Sequence, residues 1–307
     1  MPSMKEADRT APPDTLPGTL IAVDWGTTNR RTYVIAPDGR CIDSAFDARG
    51  VISIPTGGFE AELDALRARF GDGPTVLAGM VGSNRGWKEV PYLPCPANFD
   101  ALKNALYPVE EVNAVLVPGL SFIDGRRGDV MRGEELQILG AVQAGLCPAD
   151  ALVCHPGTHA KWARVKGGYL TGFRSVMTGE IFSLLRGHSI LSPQLQGEVQ
   201  TDADFAAGVE TVLARGELTA ELFAVRAGAL LGLRPHEAAS YVSGLLIGSD
   251  VQTGLGFAGD GEITLIGDPV LTELYAAALD IAGRRSCAID GEQAFLAGAR
   301  ALAESLS

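Results

Sequence analysis

One strand–turn–strand phrase occurs twice in this chain, and the repeat limits the possible folds more than any other feature. The first copy is Ile21-Ala22-Val23-Asp24-Trp25-Gly26-Thr27-Thr28-Asn29-Arg30-Arg31-Thr32. The second is Ala151-Leu152-Val153-Cys154-His155-Pro156-Gly157-Thr158-His159-Ala160-Lys161-Trp162. In each, an apolar strand runs into a Gly-Thr turn, and a basic residue follows. Gly26 and Thr27 match Gly157 and Thr158 at one offset, and Arg30 matches Lys161 at the same offset. Each copy is followed by a turn, Pro37-Asp38-Gly39 or Lys166-Gly167-Gly168, and another strand-like run. An internal repeat of this length implies two similar domains.

The turns also suggest a ligand. Gly26, Thr27 and Thr28 present backbone N–H groups and hydroxyls, and a glycine lets the chain approach a phosphate closely. Gly157, Thr158 and His159 do the same in the second copy, with Lys161 behind them. Asp24, at the tip of its strand, stands where a Mg²⁺–phosphate complex needs an oxygen ligand. Two such hairpins facing each other across a cleft are a way to hold a nucleoside triphosphate.

Size and charge fit this reading. The 307 residues suit two ordinary domains, and 46% hydrophobic against 20% charged residues supplies a core. The net charge of −12 disfavours nucleic acid and anionic membranes as partners. An anionic substrate must then be captured by a local cluster of Arg and Lys. Cys41, Cys95, Cys147, Cys154 and Cys287 are dispersed with no metal-binding spacing, as expected for reduced thiols in the cytoplasm. Residues 1–18 are polar and Pro-rich, with no apolar stretch of a signal peptide, and read as a floppy tail. No apolar run approaches the ~18 residues of a membrane span.

Along the chain, strands are expected at Leu20–Asp24, Arg31–Ile35, Cys41–Phe46, Thr75–Met80 and Ala114–Pro118. Helices are expected at Phe59–Phe70, Phe99–Leu106 and Glu134–Ala144. The second half repeats the order. Its strands are Ala151–His155, Trp162–Val165, Tyr169–Arg174, Glu262–Ile266 and Arg285–Ile289. Its helices are Thr178–Leu191, Asp202–Ala214, Leu230–Gly232, Pro235–Ser249, Val270–Ala282 and Gln293–Ser305. This rhythm predicts mixed sheets with helices outside.

Three further segments carry candidate chemistry. Gly79–Trp87 follows a strand and combines Ser83, Asn84, Arg85 and Trp87, a set suited to a carbohydrate-like ligand. All three tryptophans, Trp25, Trp87 and Trp162, fall in the two turns and this loop, which favours binding over core packing. Glu134 opens a helix, where it can act as general base on an attacking hydroxyl or simply cap the helix dipole. Glu135 beside it is the alternative, and Arg132 suits a carboxylate. Ile263–Pro269 is a strand–Gly–helix junction whose Gly267 and Asp268 can pack against an adenine ring. His155, His188 and His236 read as strand-end, surface or capping residues. No P-loop fingerprint occurs, and the one G-x-G-x-x-G run, Gly254–Gly259, follows an expected helix and not a strand, so the P-loop and dinucleotide folds are disfavoured.

The order of these pieces is similar to that of the actin/hexokinase/Hsp70 superfamily of ATP-binding proteins. Particular phrases resemble the 2-dehydro-3-deoxygalactonokinase family: Asp24–Asn29, Ala78–Asn84 with Gly86-Trp87, Val130–Glu135, Pro156–His159 with Lys161-Trp162, Val176–Glu180, and Ser243–Gly248. The resemblance runs from about residue 20 to 300. It implies an α/β chain of two ribonuclease H-like domains, the actin-like ATPase fold, with an ATP cleft between them. The divisions would be a tail over 1–18 and domains over 19–147 and 148–307.

It further implies ATP- and Mg²⁺-dependent phosphorylation of 2-dehydro-3-deoxy-D-galactonate on its 6-hydroxyl, in bacterial D-galactonate and galactose breakdown. An aldolase would then split the product to pyruvate and glyceraldehyde 3-phosphate. Related sugar kinases place an Asp where this chain has Glu134, so either Glu134 or Glu135 holds the proton. Other readings are a kinase for another keto-deoxy or sugar acid, an ATPase switch of the same superfamily, and a polyphosphate phosphatase. The switch would need a separate partner domain, for which this length leaves no room. The oligomeric state is left open, a homodimer included.

Overall fold

A computed structural model describes residues 18–233, 238–257 and 261–303. The tail over 1–17, His236, the start of the helix expected from Pro235, and the end of the last helix lie outside the described residues. The first half contains β1 (Leu20–Trp25), β2 (Arg30–Ile35), β3 (Cys41–Asp47), α1 (Phe59–Phe70), β4 (Thr75–Gly79) and β5 (Leu93–Pro94). It continues with α2 (Phe99–Asn104), β6 (Tyr107–Val109), β7 (Ala114–Leu116), β8 (Leu120–Asp124), β9 (Arg127–Met131) and α3 (Glu134–Gln143). The second half contains β10 (Ala151–His155), β11 (Ala160–Lys166), β12 (Tyr169–Val176), α4 (Thr178–His188), α5 (Ala203–Arg215) and α6 (Leu218–Leu230). It ends with α7 (Ala239–Phe257), β13 (Ile263–Gly267), α8 (Pro269–Ile281), β14 (Ser286–Asp290) and α9 (Gly291–Ala303).

The repeat in the sequence is a repeat of topology. One sheet has the order β3-β2-β1-β4-β7-β6 and the other β12-β11-β10-β13-β14. In both, the first strand pairs antiparallel with the second and parallel with the fourth. Strand alternation then sorts each sheet's residues into two layers. Leu20 and Ala22 face a core shared with Val153, Phe173 and Phe295 of the second half. Ile21 and Val23 face α1, whose Phe59, Leu63, Leu66 and Phe70 are buried at helical spacing. The matching outer layer of the second sheet packs Cys154 and Trp162 against Phe205, Val251 and Leu274.

Two helices join the halves. α3 crosses α9 where a methyl group on Gly140 would sit 2.4 Å from Gly298 Cα. Only glycine at both positions lets the backbones meet. Tyr33 of β2 also donates a 3.3 Å hydrogen bond to Glu292 of α9.

The sequence reading does not anticipate the small sheet β5-β8-β9 or helix α6. The β8–β9 hairpin turns at Gly125-Arg126, and Gly125 has φ +60°. Its Asp124-Gly125 pair is a turn signal that could have revealed it. α6 has apolar residues on most of its surface, so no periodicity marks it. α7 runs to Phe257, past the expected end at Ser249, because Asp250, Val251 and Gly254 are buried along it.

Candidate active site

The two turns are built alike, but their register corrects one sequence match. Asp24 pairs across the first hairpin with Arg31, and His155 pairs across the second with Lys161. The counterpart of Lys161 is therefore Arg31, not Arg30. The first loop is one residue longer, which a fixed sequence offset cannot register. Arg30 sits opposite Trp25 and is buried, with its guanidinium 5.0 Å from the indole centroid. It pairs with Asp47 at 2.7 Å and Glu62 at 3.0 Å, so its work is structural.

Both turn tips are held from behind. Gly50, Val51 and Ile52 donate backbone N–H groups to the carbonyls of Thr28, Gly26 and Thr27. A methyl group on Gly50 would lie 2.3 Å from Thr27 O. In the second half Glu180 N donates to Thr158 O, and a methyl on Gly179 would lie 2.6 Å from Gly157 O. A peptide's N–H points opposite its C=O, so tying the carbonyls back turns the N–H edge of each tip outward. Thr27, Thr28, Thr158 and His159 are all exposed there. His159 Nε2 contacts the Glu180 carboxylate.

Three chain segments meet at the base of these turns. Gly133, with φ +110°, caps α3, and a methyl on it would sit 3.3 Å from Gly79 Cα. Gly79, with φ +90°, ends β4, and a methyl there would sit 2.8 Å from Trp25 O. This stacking brings Asp24, the loop after β4 and the first turn of α3 together. Glu134 Oε1 lies 3.0 Å from Lys161 Nζ, and Oε2 accepts the Arg132 N–H at 3.1 Å. Lys161 also donates to His159 O at 2.8 Å.

The charges here are strongly coupled. Burial pushes the Asp24 carboxyl up to about 6, opposed by Arg31 and helped by Glu134. Burial also acts to raise Glu134, but Lys161 and His155 outweigh it and hold that carboxyl below its ordinary value. Glu135 is wholly buried, and burial with the charge of Glu134 pushes it up to about 8. Its Oε2 accepts the Gly133 N–H at 2.6 Å. Burial lowers His155, whose Nε2 lies 2.9 Å from Gln137 Oε1.

A cleft of about 660 Å³ runs between the halves. Asp24, Gly157, Thr158, Gly267 and Asp268 line it, as do Asn29, Arg31 and His155. Asp268 also caps α8, its carboxylate accepting the Val270 N–H at 2.9 Å. An apolar cavity of about 200 Å³, walled by Leu246, Ile247 and Leu274, adjoins the cleft through Gly157, Val270 and Leu271. On the other side of the second hairpin, His159 and Lys161 open onto a cavity of about 520 Å³ with Ser121, Asp129 and Ser175.

The loop residues chosen from sequence are placed less simply. Ser83 is buried, and its hydroxyl donates to Met80 O at 2.7 Å. Asn84 is exposed. Trp87 is half-buried and stacks on Phe59, with centroids 6.4 Å apart. Trp25 and Trp162 are fully buried, which overturns the reading that the tryptophans gather for a ligand. Arg132 is buried over the Tyr92 ring and donates from Nη2 to Val90 O at 2.7 Å. Its Nε and Nη1, and Glu135 Oε1, have no partner among the described residues.

A sequence profile described as 2-keto-3-deoxy-galactonokinase matches residues 24–302. The chain belongs to that family. It is a phosphotransferase with an alcohol acceptor. The 2-dehydro-3-deoxygalactonokinase of Escherichia coli (strain K12) is 37% identical over 291 residues, covering 94% of this chain and 98% of that one. The crystal structure of a candidate 2-dehydro-3-deoxygalactonokinase from Sinorhizobium meliloti has a TM-score of 0.86 at 35% identity, covering 93% of this chain and 98% of that one. Component A of the Acidaminococcus fermentans (R)-2-hydroxyglutaryl-CoA dehydratase shares the fold alone, with a TM-score of 0.50 at 13% identity over 94% of this chain and 98% of that one. The fold is the two-domain actin-like ATPase fold that the family resemblance implied. No helix among the described residues is long and apolar enough to cross a membrane.

Proposed function

We propose that this family member transfers the γ-phosphoryl group of ATP to the 6-hydroxyl of 2-dehydro-3-deoxy-D-galactonate, with Glu134 as general base. The observation that carries this reading is the Glu134–Lys161 contact at 3.0 Å, which joins the start of α3 to the second hairpin beside Asp24. The hairpins at Gly26–Thr28 and Gly157–His159 grip the phosphates from two sides with their outward N–H groups. Lys161 offsets charge on the transferring group. Phosphoryl transfer rests on positioning and charge stabilisation, and this arrangement provides both. The adenosine end lies along Gly267–Asp268, with the adjoining apolar cavity available to the base.

Glu134 is favoured over Glu135 because it reaches Lys161 and is held ionised, whereas Glu135 is closed off from any substrate. Arg132 reaches this loop at Gly82, and opening of the loop would present its unpartnered Nε and Nη1 to a carboxylate-bearing acceptor. Asp24 suits Mg²⁺. No cluster of three His, Cys, Asp or Glu side chains among the described residues forms a metal cage, and Mg²⁺ is commonly held by one or two carboxylates plus substrate phosphates. Asp24 would hold the ion, which would help neutralise the charge developing on the transferring phosphoryl group. The dispersed cysteines support a cytoplasmic setting. The duplicated sheets support a domain boundary at Cys147-Pro148.

The test is an ATP-coupled assay against a panel of 2-keto-3-deoxy sugar acids that includes both C4 epimers, with and without Mg²⁺. Transfer should need Mg²⁺ and favour the galactonate epimer. Glu134→Gln should cut turnover by about 10²–10⁴-fold. Calorimetric affinity for a non-hydrolysable ATP analogue should stay nearly the same. ATP hydrolysis without any acceptor would overturn the kinase reading. A dead Glu135→Gln beside an active Glu134→Gln would move the base by one residue.

A further inference from the structure

Asp250 lies on α7, away from the cleft, and is 1% exposed. Its Oδ1 accepts the Trp162 Nε1–H at 2.7 Å, and its Oδ2 accepts the Thr178 hydroxyl at 2.5 Å and the Tyr275 hydroxyl. None of the three donors is cationic. A buried carboxylate without a cation is costly, and an apolar side chain of similar volume would serve stability as well. What the carboxylate adds is a fixed geometry among three elements, because Trp162 belongs to β11, Thr178 opens α4, and Tyr275 lies on α8.

Each of those elements touches the phosphate grip. Trp162 follows Lys161 in β11, and strand alternation puts the two on opposite faces of the sheet. The Lys161 ammonium is thus aimed at Glu134 while Trp162 is gripped from the rear. The indole is also pressed onto α7, where a methyl on Gly254 would come within 2.1 Å of the ring. Thr178 precedes Gly179 and Glu180, the two residues that back the tip of the second hairpin. Tyr275 lies one turn along α8 from Leu271 and, with Thr178, lines the apolar cavity that adjoins the nucleotide cleft.

We propose that Asp250 is a positioning residue for phosphoryl transfer, holding the second phosphate hairpin and the start of α8 in register from behind the sheet. The proposal rests on the ATP-kinase reading above. Small displacements of a phosphate grip carry large rate costs.

Asp250→Asn is the first test. The indole N–H can only donate, so the amide oxygen must stay with Trp162 and the amide N–H₂ must face the two hydroxyls. Both hydroxyls can turn to accept, so the variant should fold with little loss of melting temperature. Its KM for ATP should rise and its kcat fall by about tenfold each, and Asp250→Ala should lose about a hundredfold. The KM for the sugar acid should not change. Thr178 also lines the apolar cavity, so Thr178→Val, which keeps the shape of that wall and loses only the hydroxyl, should reproduce the ATP effect, and Thr178→Ser, which changes the wall and keeps the hydroxyl, should retain the parental values. Tyr241→Phe, which removes a buried hydroxyl from the same helix, should lower stability without touching the KM for ATP.

Wild-type KM for ATP and kcat in Asp250→Asn and Thr178→Val would overturn the proposal. So would losses that fall equally on ATP and sugar acid and track the unfolded fraction by circular dichroism. If Asp250→Ala does not fold, the Asn and Thr178 variants decide. A parent enzyme that binds no ATP analogue would instead refute the kinase reading itself.

Discussion

Glu134 and Glu135 are neighbours of the same chemistry, and the structure gives them opposite charge states. Lys161 and His155 hold Glu134 ionised, while Glu135 forms no ion pair among the described residues, and burial pushes it up to about 8 against the weaker pull of Arg132. That difference predicts a pH signature. Glu135 is protonated in the folded protein up to about pH 8 but ionises near 4.5 once unfolded. Its raised folded value therefore contributes stability that is full below about 4.5 and is lost as pH rises through about 8. Glu135→Gln removes this dependence and can still accept the Gly133 N–H. Its melting temperature should gain on the parent's steadily between about pH 5 and 8 and then keep a constant lead. Parallel curves for the two proteins across that range would show that Glu135 is ionised when folded.

At the scale of elements, the two Gly-Thr hairpins are shaped by segments that follow them in the chain. Gly50 backs the first tip and Gly179 the second, each in contact closer than a side chain allows. Gly50→Ala would force its methyl onto Thr27 O and Thr28 C. Overpacking of this kind costs about 1–3 kcal/mol, so the urea midpoint should fall. The displaced tip should also weaken binding of a non-hydrolysable ATP analogue. A variant with parental midpoint and parental affinity would show that the Gly50 segment does not set the tip. The turn sequence alone explains the hairpin, and the backing segment explains which edge of it faces a ligand.

At the scale of the molecule, α3 and α9 cross at Gly140 and Gly298, and this crossing carries the start of α3 to the second half. Gly298→Val would drive methyl groups into Leu136 O and the Leu136 side chain. It should destabilise the protein by about 1–3 kcal/mol or more, read as a lower urea midpoint. Turnover should also fall, because Glu134 lies two residues from the displaced Leu136. Full activity at parental stability would mean that the crossing has slack.

The sequence by itself determined the two strand–turn–strand units, most of the elements around them and the family. Turns, alternation and helical spacing are set by neighbours in the chain, so they can be read there. Tertiary structure alone decided that Arg31 rather than Arg30 is the counterpart of Lys161, because a one-residue difference in loop length is visible only as strand register. It decided that Trp25 and Trp162 are core, that Trp87 rests on Phe59, and that Glu134 rather than Glu135 meets a cation. It also decided that Arg132 keeps two buried nitrogens without partners among the described residues and that Asp250 gathers three donors. Burial and charge at a residue are sums over groups far apart in the chain, and no local pattern contains those sums.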